Sequence, residues 1–257
     1  MKTRLQTYLD RFSDTNRPLP LIHTTSTNGF RHILRDKAIK AHKECPVFKE
    51  WLVYFFYGRP AYKISVDEAT QRVTDEYLPV AFITRPDAVS NIKRIFPFDS
   101  GAFDNAAYGG VHHRSSTLAD YELAPALKSA RRVVRAFFNT NQNYVLGEPQ
   151  QRRVNAFDNP EVNAYLTLID GTTDLSIDDR RYSIEIQTLD PVTLANDVVA
   201  IVMPLSWLNS KSVRRLLKDN PSIQPLTYAR YRGVAVSGCH AMIFERVHDY
   251  LSSNGYL

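Results

Sequence analysis

The stretch Trp51-Leu52-Val53-Tyr54-Phe55-Phe56-Tyr57-Gly58-Arg59-Pro60-Ala61-Tyr62 fixes what kind of sheet this chain builds. From Trp51 to Tyr57 every side chain is apolar or aromatic and most are strong β-formers, so the run predicts a mostly buried strand closed by a breaker. Gly58 lets another backbone or a ligand come close, and Pro60 fixes the turn. Arg59 is held between them at the strand's mouth, where its fork of donors suits a bidentate grip on phosphate or carboxylate. The simpler alternative is a surface arginine in a turn.

Two other stretches supply possible partners for that arginine. In Leu19-Pro20-Leu21-Ile22-His23-Thr24-Thr25-Ser26, strand alternation puts Leu19, Leu21, His23 and Thr25 on one face and Ile22 and Thr24 on the other. His23 therefore ends an apolar row. Ser26 and Thr27 are suited to cap a helix whose Phe30, Ile33 and Leu34 recur at i, i+3 and i+4 and which ends near Asp36. A short strand is expected over Ala38 to Ala41, and the polar link from His42 to Glu50 is long enough to fold over a ligand. The second stretch is Arg181-Tyr182-Ser183-Ile184-Glu185-Ile186-Gln187-Thr188. Alternation turns Tyr182, Ile184 and Ile186 toward a core and Arg181, Ser183, Glu185 and Gln187 the other way. A carboxylate in mid-strand is unusual for packing; protection of an edge strand is the plain alternative.

Elsewhere the pattern predicts an N-terminal helix over Thr3 to Phe12, a strand over Leu78 to Thr84 stopped by Arg85-Pro86, and a helical turn over Asp87 to Arg94. Phe96 to Ser116 reads as loop. It contains the pair His112-His113, whose side chains point to different faces in any regular structure and do not share a metal by themselves. Leu123, Leu127, Ala130, Val134 and Phe137 mark an amphipathic helix in whose first turn Pro125 would sit. Asn139 to Asn159 reads as loop, and Glu161 to Leu168 suits a helix or a strand. Asp170-Gly171 opens an acidic loop containing Asp174, Asp178 and Asp179. Then follow a strand (Asp197 to Met203), a helix (Trp207 to Lys218), a strand (Ile223 to Tyr231) and a last helix (Cys239 to Leu251). With no repeat and no low-complexity linker, the fold class is α+β in a single domain.

The 257 residues, 44% hydrophobic and 23% charged, have the composition of an ordinary globular protein and can bury a full core. Two distant cysteines, Cys45 and Cys239, suit a reducing compartment without a disulfide framework or zinc site. The charged N-terminus has no signal-peptide core and no run approaches a membrane span, so a soluble cytoplasmic chain is expected. The net charge of +5 is unevenly spread. Lys128, Arg131, Arg132 and Arg135 share one helix face, and Lys211, Arg214, Arg215 and Lys218, followed by Arg230 and Arg232, form a second cluster. Such stripes track a phosphate backbone or are simply solvated faces. No GxGxxG or GxxxxGK loop occurs, which disfavours a Rossmann dehydrogenase or P-loop NTPase.

The order Ile22-His23-Thr24 with a capped helix, then Tyr54-Phe55-Phe56-Tyr57-Gly58-Arg59-Pro60, then Ser183-Ile184-Glu185-Ile186 before a hydrophobic strand resembles the ADP-ribosyltransferase fold, most closely the DarT-like toxins that modify nucleic-acid bases. The resemblance spans about residues 19 to 204. It departs in the Gly-Arg-Pro order, an insertion at about 96–159 and a C-terminal extension from about 205. It implies a split mixed β-sheet core with flanking helices in one domain of residues 1–257. It also implies transfer of ADP-ribose from NAD+ as co-substrate, without a metal, to DNA or RNA.

On that resemblance Glu185 and Arg59 are catalytic. Glu185 would hold the nicotinamide ribose and Arg59 the pyrophosphate or the acceptor. His23, Thr24 and Thr25 would bind NAD+, with Tyr54, Tyr57 or Tyr62 stacking on nicotinamide. Lys128, Arg131, Arg132, Arg135, Asp178 and Arg181 would meet the acceptor. The setting implied is a toxin of a toxin–antitoxin or phage-defence system, restrained by an antitoxin or other regulatory protein. The alternatives are a protein acceptor, a non-catalytic nucleic-acid-binding module using the basic stripes, and a metal-dependent nuclease built on Asp174, Asp178 and Asp179.

Overall fold

A computed structural model describes residues 2–61, 75–170, 179–231 and 234–257. The aromatic run forms β3 (Val53–Tyr57), with Trp51 left exposed before it. Its neighbours are β1 (Leu21–Ser26) and β6 (Glu185–Thr188). With β4 (Pro79–Thr84), β5 (Ile92–Phe96), β8 (Val198–Pro204) and β9 (Gln224–Tyr228) they build a seven-stranded sheet in the order β5-β6-β3-β1-β4-β8-β9. Every pair is antiparallel except β8 with β9. A separate two-stranded ribbon joins β2 (Ala38–Ile39) to β7 (Val192–Thr193). The chain is thus α+β, with one large mixed sheet flanked by helices.

Central strands are covered on both sides: all six residues of β4 are buried and apolar up to Thr84, and all four of β6 are buried although Glu185 and Gln187 make one of its faces polar. Helix α1 (Arg4–Leu9) packs with α4 (Leu127–Phe137) and α6 (Pro160–Asp170), while α9 (Val236–Ser253) packs across β4, β8 and β9. Helix α2 (Thr27–Asp36) follows β1 directly, its first turn closed by Ser26 Oγ accepting from the Gly29 amide. The remaining helices are α3 (Ser100–Asp104), α5 (Asn141–Leu146), α7 (Leu194–Asp197) and α8 (Lys211–Asp219). The α8 crossover carries the chain from β8 to its parallel neighbour β9. Residues after 205 therefore complete the same sheet and core. Among the described residues no helix is long and apolar enough to cross a membrane.

Four expectations need correcting. Asp87 to Arg94 is not a helical turn: its second half enters β5, where a register shift between Ile92 and Arg94 breaks the alternation that would have betrayed a strand. The stretches read as loops contain α3 and α5, each short but capped by Asp99 and Thr140. Pro125 lies before the helix, whose N-cap is Ala126. The strand around Glu185 is shorter than expected, because residues 179–182 coil into a 3-10 turn before it. Gly58 is required where it stands: φ is +65°, and a Cβ would meet the Leu19 side chain at 2.4 Å.

Candidate functional site

Glu185 begins β6, which lies between β5 and β3, with Phe96 opposite on one side and Phe56 on the other. An internal position excludes edge protection as its role. The residue is 1% exposed. Three donors converge on the carboxylate: the Ser100 amide reaches Oε2 at 3.0 Å, and the Ser100 hydroxyl and Gln187 amide reach Oε1 at 2.7 and 2.6 Å. Ser100 is the first residue of α3, positioned by the Asp99 cap, and Asp99 in turn is paired with Arg180 at 3.2 Å. Gln187 accepts from Arg94 at 3.3 Å, and Arg94 is salt-bridged to Glu50.

Burial, with the neighbouring Asp99 charge, pushes the Glu185 carboxyl up to about 8, against the pull of its three donors. Tyr54 stands opposite Gln187 on the same face of the sheet. Burial, the adjacent Cys45 thiol and the Glu185 charge raise its phenol well above the usual range. The link before β3 folds over this face. Phe48 stacks on Phe96 at 5.8 Å under the Arg94 guanidinium, and Cys45 closes a turn by donating its amide to the Glu50 carbonyl.

On the other flank of β3 the sheet parts. β1 pairs with β3 only at Leu21 and Ile22. Beyond them His23 spans the widening gap, its Nδ1 2.9 Å from the Tyr54 carbonyl oxygen and its ring against Phe55 and Phe82. Burial lowers its pKa, so the imidazole is neutral at pH 7. Thr24 points to the opposite side of the strand from His23. Its Oγ1 is buried and makes no hydrogen bond among the described residues. Thr25 and Ser26 are half-buried. Such an orphaned hydroxyl suits a ligand that brings its own hydrogen-bond partner.

Other expected site residues are placed differently. Arg59 is 5% exposed, not at an open mouth. Its guanidinium donates to the carbonyls of Tyr144 and Val145 at the C-terminal end of α5 and lies over the rings of Tyr182 and Phe244. That is the end of a helix where a cation is favoured. Tyr57 is fully buried, its hydroxyl accepting from the Leu19 amide, so it belongs to the core. Arg181 is also buried, against Tyr182. The basic stripe of α4 is largely turned to the N-terminal segment: Arg132 pairs with Asp10 at 2.6 Å, Arg131 with Asp14 at 3.1 Å, and Arg135 bonds Asn139, leaving Lys128 exposed. Spacing along one helix cannot reveal acids brought from another segment. Tyr62, Asp174 and Asp178 lie outside the described residues.

The structure thus brings Glu185 and Tyr54 together, puts His23 and Thr24 on the next strand, and sets Arg59 apart beyond the strand end. Sequence reading missed Ser100, Asp99, Arg180, Arg94 and Cys45 as neighbours of Glu185. The Asp-Ser-Gly run at 99–101 was the available signal, since aspartate before a serine is a helix-starting pair. Among the described residues no group of three His, Cys, Asp or Glu is placed to hold a metal ion. No family model matches the chain, and no curated sequence matches it significantly.

Proposed function

We propose that this chain is an NAD+-dependent mono-ADP-ribosyltransferase of the DarT-like kind, with nucleic acid as acceptor and Glu185 as its catalytic carboxylate. The observation that carries the reading is a buried, donor-held carboxyl on an internal strand, one strand from the place where β1 parts from β3 beside His23 and Thr24. Ser100 and Gln187 hold the Glu185 carboxylate in one orientation, and in this reading its role is to accept from a ribose hydroxyl. Thr24, on the same face of the sheet as Glu185, offers a hydroxyl to the dinucleotide and Tyr54 an aromatic face, while His23, on the opposite face, acts through its contact with the Tyr54 carbonyl.

In the reaction the bond between ribose C1′ and the nicotinamide nitrogen breaks with its electron pair leaving on nicotinamide. A nitrogen or oxygen of the acceptor forms the new bond to C1′. The carboxylate of Glu185 stabilises the positive charge that develops on the ribose and takes the acceptor's proton. Arg59 keeps the turn after β3 in place from below rather than touching substrate. In the same reading the whole chain is one transferase domain acting as a toxin, with a protein partner restraining it.

The test is transfer of label from ADP-ribose-labelled NAD+ to single-stranded DNA, RNA or protein. Wild type should label a nucleic acid. Glu185→Gln and Glu185→Ala should fold, by circular dichroism, and lose roughly a hundredfold or more in rate, the scale of losing a preorganised electrostatic contact. Full transfer by Glu185→Gln would remove Glu185 from the chemistry. Label on protein alone would move the acceptor, and no consumption of NAD+ with any acceptor would end the reading.

A further inference from the structure

A cleft of about 640 Å³ opens between α2 and α8, away from the residues assigned above. Its walls carry four cations, Arg31, Arg35, Lys37 and Arg215, against one acid, Asp219. Arg31 and Arg35 are one helical turn apart on α2, a like-charge spacing that costs stability. Lys37 ends the helix in the left-handed region, with φ of 55°, where glycine or asparagine is the usual residue. Its carbonyl accepts from the Leu194 amide at 3.1 Å, which docks the helix end against α7. No ion pair to Lys37 forms among the described residues. The arginines do have acidic neighbours: Arg35 lies 3.0 Å from Asp36, Arg215 3.7 Å from Asp219 and Arg31 4.0 Å from Glu76. The pairs of Arg31 and Arg215 are solvent-exposed and weak, so those two guanidinium groups remain open to a stronger anion, whereas Arg35 is held by two hydrogen bonds to the half-buried Asp36. Lys211, Arg214 and Lys218 extend the positive surface along the exposed side of α8.

We propose that this cleft binds a chain of phosphates, either successive phosphates of a nucleic-acid backbone or those of a free polyphosphate. An excess of three positive charges over the lining acid exceeds what one carboxylate ligand neutralises and suits a ligand with several charges in a row. Three of the four cations are arginines, whose planar forks match phosphate oxygens two at a time. The Ser212 hydroxyl, on an exposed residue in the same wall, adds a neutral donor. The volume is within the range of small-molecule sites, about 300–1,000 Å³. The proposal does not depend on the chemistry at Glu185, and its test omits NAD+.

The experiment titrates the intact chain with tripolyphosphate, and then with a labelled single-stranded 20-mer, in wild type, in Arg31→Glu with Arg215→Glu, and in Lys37→Gly. Both arginines are largely exposed, so the charge reversals should leave the fold unchanged by circular dichroism. Tripolyphosphate should bind wild type and weaken at least about tenfold per arginine lost, the equivalent of one charged hydrogen bond each. If the oligonucleotide displaces it, and its log–log salt slope falls from about −3 by about half in the double variant, the site holds a nucleic-acid backbone. If tripolyphosphate binds and the oligonucleotide does not displace it, the site holds a free polyphosphate. Absence of tripolyphosphate binding, or equal binding by the double variant, overturns the proposal.

Discussion

Replacing Glu185 by Gln should reshape how the stability of this protein depends on pH. The wild-type carboxyl titrates near 4.5 when unfolded and near 8 when folded, because burial and the Asp99 charge outweigh its three donors. Between those values the folded chain holds a proton that the unfolded chain has released. Stability from this group is therefore complete below about pH 4.5 and is lost as pH rises, at about 1.4 kcal/mol per unit, until the carboxyl ionises near 8. From pH 5 to pH 7 the loss is roughly 3 kcal/mol. The glutamine variant does not titrate and lacks that slope. It carries a fixed cost instead, since its amide nitrogen faces the Ser100 N–H that Oε2 now accepts, a mismatch of about 1–3 kcal/mol. Urea unfolding of both proteins, at constant ionic strength from pH 5 to pH 8, should show the variant gaining on wild type by roughly 3 kcal/mol between pH 5 and pH 7. Titrating groups that do not interact with Glu185 cancel in the difference. Parallel profiles, differing by less than about 1 kcal/mol over that range, would show that Glu185 is ionised in the folded chain and that the account of its burial is wrong.

Three further outcomes follow from named contacts. Arg59→Met keeps the stem but strips the donors from the Tyr144 and Val145 carbonyls, and should cost about 2–4 kcal/mol in urea unfolding; a loss below about 1 kcal/mol would remove the clamp. Burial pushes His240 down to about 4, so the unfolded chain takes up its proton first and stability is lost as pH falls from about 6.5 toward 4; His240→Gln should flatten that acid limb, and an unchanged limb would reject the assignment. Lys37→Gly relieves a left-handed lysine and should raise stability by about 1 kcal/mol while weakening tripolyphosphate binding; destabilisation would mean that the lysine side chain holds the helix end.

Much of the sheet was legible because its central strands announce themselves locally. The run from Trp51 to Tyr57 had no polar residue to confuse its period, and Ser26 before an apolar helical repeat marked the start of α2. What stayed hidden depended on partners far away in the chain. β5 was masked by its bulge, and α3 and α5 were too short to show a period. The α4 stripe looked like a free basic surface because Asp10 and Asp14 are more than a hundred residues away. Arg59 looked solvent-facing because nothing near Gly58 and Pro60 reports that the end of α5 packs over it. Glu185 stood out in the sequence as an acid within a strand, but the local pattern could not say that its face is roofed by Ser100 and the link from His42 to Glu50.

A carboxyl that is largely protonated at neutral pH is an awkward candidate for stabilising a cation, and the magnitudes decide whether the objection stands. Ionising Glu185 at pH 7 costs about 1.4 kcal/mol when it titrates near 8. A unit positive charge brought to about 4 Å contributes about 4 kcal/mol at an effective dielectric of 20. The cation wins by a margin that survives a further charge at Asp99, because Arg180 already faces that carboxylate at 3.2 Å. In the proposed reaction NAD+ would bring such a charge on its pyridinium ring, and the breaking glycosidic bond would move it onto the ribose. The three donors at Glu185 are arranged for an anion, and burial raises its energy only while the cation is missing. A carboxyl serving only as scaffold would stay protonated and donate its proton to the Ser100 hydroxyl oxygen, so the two readings differ in which way that 2.7 Å hydrogen bond runs.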